Sequence, residues 1–110
     1  MVAEEDKKFL GQFQVLQQQL QTILIQKENL KLQTLEIDKA IEELEGSKGT
    51  KAYKIVGPVM VQKDLKKLKT ELKERKDNFD LRVKTIEKVE ERITKKLKEM
   101  EPKLRKMMNQ

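Results

Sequence analysis

The sequence predicts a mainly α fold: an antiparallel two-helix coiled-coil hairpin with a short β-hairpin at the connecting end. Three observations lead there. Stepping back by sevens from Leu44 gives Ile37, Leu30, Ile23, Leu16 and Phe9, and stepping forward from Leu65 gives Leu72, Phe79, Ile86, Ile93 and Met100, so two apolar rows mirror each other about a central break. A period of seven holds one stripe of a helix against a partner helix, and an antiparallel partner in the same chain presents its stripe in reverse order. The break itself holds three of the four glycines, Gly46, Gly49 and Gly57, and one of the two prolines, Pro58. Finally, aromatic residues make up 4% of the chain and charged residues 40%, which suits long exposed helices better than a thick globular core.

The first helix is expected over about residues 3–45. Glu4, Glu5 and Asp6 place negative charge where the helix dipole favours it. Gly46 offers a left-handed residue to end the helix, and Ser47 to Thr50 continue as loop. Lys51-Ala52-Tyr53-Lys54-Ile55-Val56 and Val59-Met60-Val61 are rich in β-branched and aromatic types around the turn signal Gly57-Pro58, so a β-hairpin is expected over 51–61. The second helix is expected over 63–108, with Asp64 as a candidate cap and Pro102 as the site of a kink or frayed end. Each helix would be about 60 Å long at 1.5 Å per residue. At 110 residues the whole is read as a single domain, 1–110.

Mirrored numbering pairs Phe9 with Met100, Leu16 with Ile93, Ile23 with Ile86, Leu30 with Phe79, Ile37 with Leu72 and Leu44 with Leu65. Between these layers Ile41 meets Leu68 and Leu20 meets Val89, but Thr34 faces Arg75, Lys27 faces Arg82 and Phe13 faces Lys96. Two unpaired cations on one seam would be costly, so their stems are expected to lie along it with the charged ends in water.

Charge is divided along the chain. Residues 1–47 carry 5 basic and 9 acidic side chains, a net of −4, and residues 48–110 carry 20 and 10, a net of +10. The acidic half can therefore lie along the basic half, each exposed pair contributing at most about 1 kcal/mol. A nucleic-acid partner is not expected, because the basic second helix lacks interleaved aromatic residues. No stretch approaches twenty apolar residues and the N-terminus is acidic, so neither a membrane span nor a signal peptide is expected, and a cytoplasmic location is.

Chemistry is sparse. The chain has no His, Cys or Trp, which removes the common proton shuttles, thiolates and soft metal ligands. Gly46-Ser47-Lys48-Gly49-Thr50-Lys51 lacks the spacing of a phosphate loop and follows a helix instead of a strand. The carboxylates read as a solvated helix face. No enzyme activity, cofactor or metal is expected.

Two apolar surpluses remain. Tyr53, Ile55, Val56, Val59, Met60 and Val61 would leave apolar faces and open strand edges exposed in a lone chain; they either fold back on the helix ends or pair with other subunits, and subunit assembly is the favoured reading. At the far extreme Phe9, Leu10 and Phe13 meet Met100, Leu104, Met107 and Met108, and four of the five methionines, counting Met1, fall there. Such a cluster is either the last turn of a coiled coil or an adaptable surface for varied apolar partners.

These residues resemble a family. Phe13-Gln14-Val15-Leu16-Gln17-Gln18-Gln19-Leu20, then Gln26-Lys27 with Leu30, and above all Ala52 to Val61 are similar to the β-type subunits of prefoldin, the hexameric holdase chaperone, over essentially the whole chain. The compact Gly57-Pro58 form resembles the eukaryotic subunit six, and the lysine-rich helices suit an archaeal β subunit. The resemblance implies an ATP-independent chaperone subunit that assembles into a hexamer with α-type and other β-type prefoldin subunits through Tyr53, Ile55, Val56, Val59, Met60 and Val61. It further implies capture of unfolded client proteins, actin and tubulin in a eukaryote, at a tip made of Phe9, Leu10, Phe13, Met100, Leu104, Met107 and Met108, with transfer to a group II chaperonin. The alternative is a coiled-coil scaffold or tether without chaperone activity.

Overall fold

A computed structural model describes residues 3–109. The element order is helix α1 (Glu4–Glu45), strand β1 (Lys51–Val56), strand β2 (Val59–Asp64) and helix α2 (Leu65–Met108). The described residues fall into two compact units: Asn29–Val83, which contains the strands, and the residues up to Glu28 together with those from Lys84 onward.

In the strand-bearing unit the core is small and sits beside the strands. Ala52, Leu65 and Leu68 are buried together, with Leu44 and Leu72 packed against them, and Ile37 is buried further along α1. Gly46 does not take the expected left-handed conformation. Helix α1 ends instead by tightening, its last bonds running from Gly46 N to Glu42 O (3.0 Å) and from Ser47 N to Leu44 O (3.3 Å). Positive φ falls on Gly49 (131°) and Gly57 (58°). At Gly57 it opens a two-residue hairpin turn that Pro58 completes with its fixed φ, so Gly57-Pro58 reverses the chain in the sense that matches strand twist.

The strands pair from Lys51↔Asp64 to Val56↔Val59, so β2 runs three residues beyond the expected end at Val61. Those extra positions, Gln62, Lys63 and Asp64, are polar, and a reading based on β-branched residues does not see them. Asp64 therefore closes the ladder immediately before α2, and the first helical amide, Leu65 N, donates to Thr50 O at 2.9 Å. Helix α2 continues through Pro102 to Met108, and Asn109 N donates to Arg105 O (3.1 Å) in its last turn. Proline removes one backbone donor and leaves the neighbouring bonds available, while Met100, Leu104 and Met107 stay half-buried on either side of it.

The seam follows the expected row on α1, where Phe9, Phe13, Leu16, Leu20, Ile23, Lys27, Leu30, Thr34, Ile37, Ile41 and Leu44 are all buried or half-buried. On α2 it departs from mirrored numbering. Arg75, Arg82 and Lys96 are exposed, and the neighbouring Lys76, Val83 and Leu97 take the half-buried places. Val83 and Leu97 stand four residues after Phe79 and Ile93, and burying them in place of two cations is the favourable choice. The half-buried cations Lys27 and Lys76 each have a carboxylate partner, and the Thr34 hydroxyl donates to Leu30 O at 2.9 Å within its own helix.

Candidate functional site

The hairpin presents two different faces. Directly opposed residues in an antiparallel pair point the same way, and faces alternate along each strand. Ala52 is buried, so the pairs Ala52/Lys63, Lys54/Val61 and Val56/Val59 lie on the helix side, and Tyr53/Gln62 and Ile55/Met60 lie on the outer side. Glu71 on α2 anchors the helix side. It accepts from Lys63 Nζ at 2.7 and 3.0 Å and has Lys54 Nζ at 4.0 Å, so one carboxylate holds both strands. The Lys63 hydrogen bond, aided by the charges of Lys63 and Lys54, keeps the Glu71 carboxyl below the ordinary carboxylate range.

All six hairpin residues expected to mediate assembly are exposed in the isolated chain. Tyr53 is 61% exposed, Ile55 73% and Met60 64%, with Val56 and Val59 above half and Val61 less so. The strands do not fold back to hide them. Both edges of the two-stranded sheet also lack a neighbouring strand among the described residues.

The free ends of the helices lie in the other unit. Phe9, Leu10, Phe13, Met100, Leu104 and Met107 are half-buried, and Met108 is 77% exposed; Met1 lies outside the described residues. The expected tip is thus more self-covered than a row of free side chains. Its open part is a groove of about 950 Å³ with Phe9, Val15, Leu16 and Met100 as its apolar lining. Lys96, Glu99 and Lys103 form the α2 rim, and Gly11, Gln12 and Gln19 form the α1 rim. The sequence reading did not single out Val15, which is 51% exposed. It lies off the seven-residue row, and its signal is an apolar residue on an otherwise glutamine-rich face. Leu24, Ile25, Leu32, Leu35 and Leu81 are likewise exposed off that row.

Charges flank the seam in both polarities. Asp38 with Lys76 (2.6 Å) and Glu45 with Lys73 (3.8 Å) follow the expected pairing of acidic α1 with basic α2. Lys27 reverses it, donating to Glu90 at 2.9 Å with Glu87 at 3.6 Å, and its expected neighbour Arg82 is exposed to solvent. The Glu90 hydrogen bond raises the Lys27 pKa against the opposing effect of burial. Among the described residues no group of His, Cys, Asp or Glu is arranged to hold a metal ion, and no helix is long and apolar enough to cross a membrane.

A family model described as prefoldin subunit matches residues 7–110. The chain belongs to the prefoldin family. Curated relatives agree: a prefoldin subunit beta of Methanothrix thermoacetophila is 43% identical over 102 residues, covering 92% of this chain and 85% of that protein. One of Thermococcus onnurineus is 40% identical over 96 residues, covering 86% and 83%. The crystal structure of the prefoldin beta subunit from Thermococcus strain KS-1 superposes with a TM-score of 0.84 at 30% identity, covering 97% of this chain and 95% of that one. The two long helices with a two-stranded hairpin between them are the prefoldin β fold, and the chain is a prefoldin chaperone subunit. Membership implies assembly with other prefoldin subunits.

Proposed function

We propose that this prefoldin subunit assembles through its hairpin into a hexamer with α-type and other β-type subunits, and holds unfolded proteins at the free ends of its helices without using ATP. The observation that carries this reading is the exposed hairpin. Apolar residues on both faces and two open edges form a surface that a lone chain does not sustain and that strands of neighbouring subunits would cover. The relatives are named as prefoldin β subunits, in keeping with one hairpin instead of a longer insert.

Client capture is placed at Phe9, Leu10, Phe13, Met100, Leu104, Met107 and Met108. Flexible methionines beside phenylalanines suit partners of varied shape. Weak contacts from several subunits on one client would sum to avidity while each stays reversible, which suits release to a group II chaperonin in the cytoplasm.

Co-expression with an α-type prefoldin subunit followed by native mass measurement tests assembly, with a hexamer expected. A stable homodimer that ignores α-type subunits would instead favour the tether reading. Replacing Phe9, Phe13, Met107 and Met108 with Ser is expected to leave the hexamer intact and weaken suppression of client aggregation. Unchanged suppression would move client binding elsewhere.

A further inference from the structure

The groove at the helix ends has a charge pattern that apolar capture alone does not use. Lys96 and Lys103 stand seven residues apart on α2, so their stems leave the same face about 10 Å apart along the helix. Glu99 lies between them, leaving the α2 rim with a net charge of +1. The surroundings strengthen that sign, since residues 84–110 hold nine Lys and Arg against five Asp and Glu. Lys103 does something further. Its Nζ rests 4.7 Å from the centroid of the Phe9 ring, covering part of the apolar lining with a cation.

A client carboxylate placed beside Lys103 would compete with the ring for the ammonium and draw it aside. The Phe9 face would then open to an apolar side chain of the same client. On the opposite rim Gly11 carries no side chain, and an added Cβ there would meet nothing within 4 Å, so the groove is open along α1. A segment can therefore lie lengthwise with its apolar residues on Val15, Leu16 and Met100 and its acidic residues over the lysines.

We propose that this groove selects amphipathic client segments whose apolar residues are flanked by carboxylates about 10 Å apart, and disfavours the same segments carrying lysines. The proposal rests on the client-capture reading above and adds to it the class of segment taken. Ten ångströms corresponds to positions i and i+7 of a helical segment or i and i+3 of an extended one. Exposed charge pairs are individually weak and screened by salt, so the preference should be moderate and depend on ionic strength.

The test uses the assembled full-length protein and two labelled 15-residue peptides with the same leucines, one carrying Glu at i and i+7 and the other Lys. Binding is read by fluorescence anisotropy. The Glu peptide is expected to bind at least about fivefold tighter in low salt, the ratio falling below about twofold in 0.5 M salt. The double variant K96Q/K103Q should bring the two peptides within about twofold in low salt while binding the Lys peptide at least as tightly as before. Equal binding by the unmodified protein, or a preference that survives K96Q/K103Q, overturns the selection while apolar capture stands. Displacement of the Glu peptide by a single-stranded oligonucleotide at comparable concentration would make the rim a general polyanion site and also overturn it. If replacing Phe9, Phe13, Met107 and Met108 with Ser leaves both peptides bound as tightly as before, the client-capture reading fails and the selection falls with it.

Discussion

Replacing Ile55 with Asp should prevent assembly while leaving the single chain folded. Ile55 lies on the outer face of the hairpin, opposite Met60, and is 73% exposed in the isolated chain. The substitution therefore removes little that the chain itself uses. Full burial of an Ile side chain is worth about 1.5–3 kcal/mol, so covering the part still exposed would contribute about 1–2 kcal/mol to each subunit contact. Asp forfeits that gain and adds a carboxylate that must lose water without a cation opposite it, an effective penalty of several kcal/mol. Together the loss is at least about 3 kcal/mol per contact, over 100-fold in each association constant.

Native mass measurement after co-expression with an α-type subunit reads the result, and far-ultraviolet circular dichroism confirms the helices. Val61→Asp makes the comparison informative. Val61 lies on the helix side beside Lys54, which can pair with the new carboxylate, so this variant should assemble less poorly than Ile55→Asp. Hexamers of normal mass from Ile55→Asp at micromolar concentration would refute assembly through the outer face. Equal loss from both variants would refute the assignment of the two faces.

Gly57→Ala should lower stability by about 1–2 kcal/mol through backbone strain alone, because φ is 58° and an added Cβ meets nothing within 4 Å; thermal melting at fixed protein concentration reads it. Ile93→Ala, at a site only 6% exposed, should cost about 2–3 kcal/mol, whereas Ile25→Ala on the open face of α1 should stay within about 0.5 kcal/mol. Similar melting of the two would contradict the burial that distinguishes them. Glu71 titrates below its ordinary value of 4.5, so its hold on Lys63 and Lys54 is complete above that pH and weakens as pH falls through the lower, folded value. Protection of the hairpin amides, after correction for the intrinsic pH dependence of exchange, should fall in acid, and Glu71→Gln should remove that fall; unchanged behaviour in the variant would dismiss Glu71 as the anchor.

The heptads made the two helices legible, because a period of seven is visible in one dimension, and the β-branched runs around Gly57-Pro58 did the same for the hairpin. The axial match between the helices was not legible. A row spaced by sevens fixes which side of a helix faces inward, but the second row can stand three or four residues from the first. Mirrored numbering placed Arg82 and Lys96 on the seam, and the structure uses Val83 and Leu97, one residue later. The helix stop was misread for a related reason: glycine permits positive φ without requiring it, so Gly46 ended the helix and Gly49 and Gly57 took the unusual angles. Composition disclosed the hairpin's exposed residues but not its length, since the last ladder pairs, Ala52/Lys63 and Lys51/Asp64, carry no apolar alternation. At the helix ends the methionines drew attention, while the groove depends on Val15 and Gly11, which become notable only when the packed helices leave space beside them.

Lys27 shows why a polar residue on the seam need not be a defect. An apolar stripe with a period of seven is nearly indifferent to a slip of one heptad, because each layer then meets another of similar character. The Lys27 contact is less permissive. In the observed alignment its ammonium reaches both Glu87 and Glu90. A slip of seven in one direction would bring Thr94 and Leu97 to those places, and in the other direction Asp80 and Val83. One slip loses both carboxylates and the other loses one, leaving a half-buried cation less well paired. The periodic residues thus provide attraction, and this interruption distinguishes one stagger from its neighbours. A defined stagger therefore fixes which side chains of the two helices meet around the groove. At the observed alignment Phe9, Lys103 and Met100 line one groove.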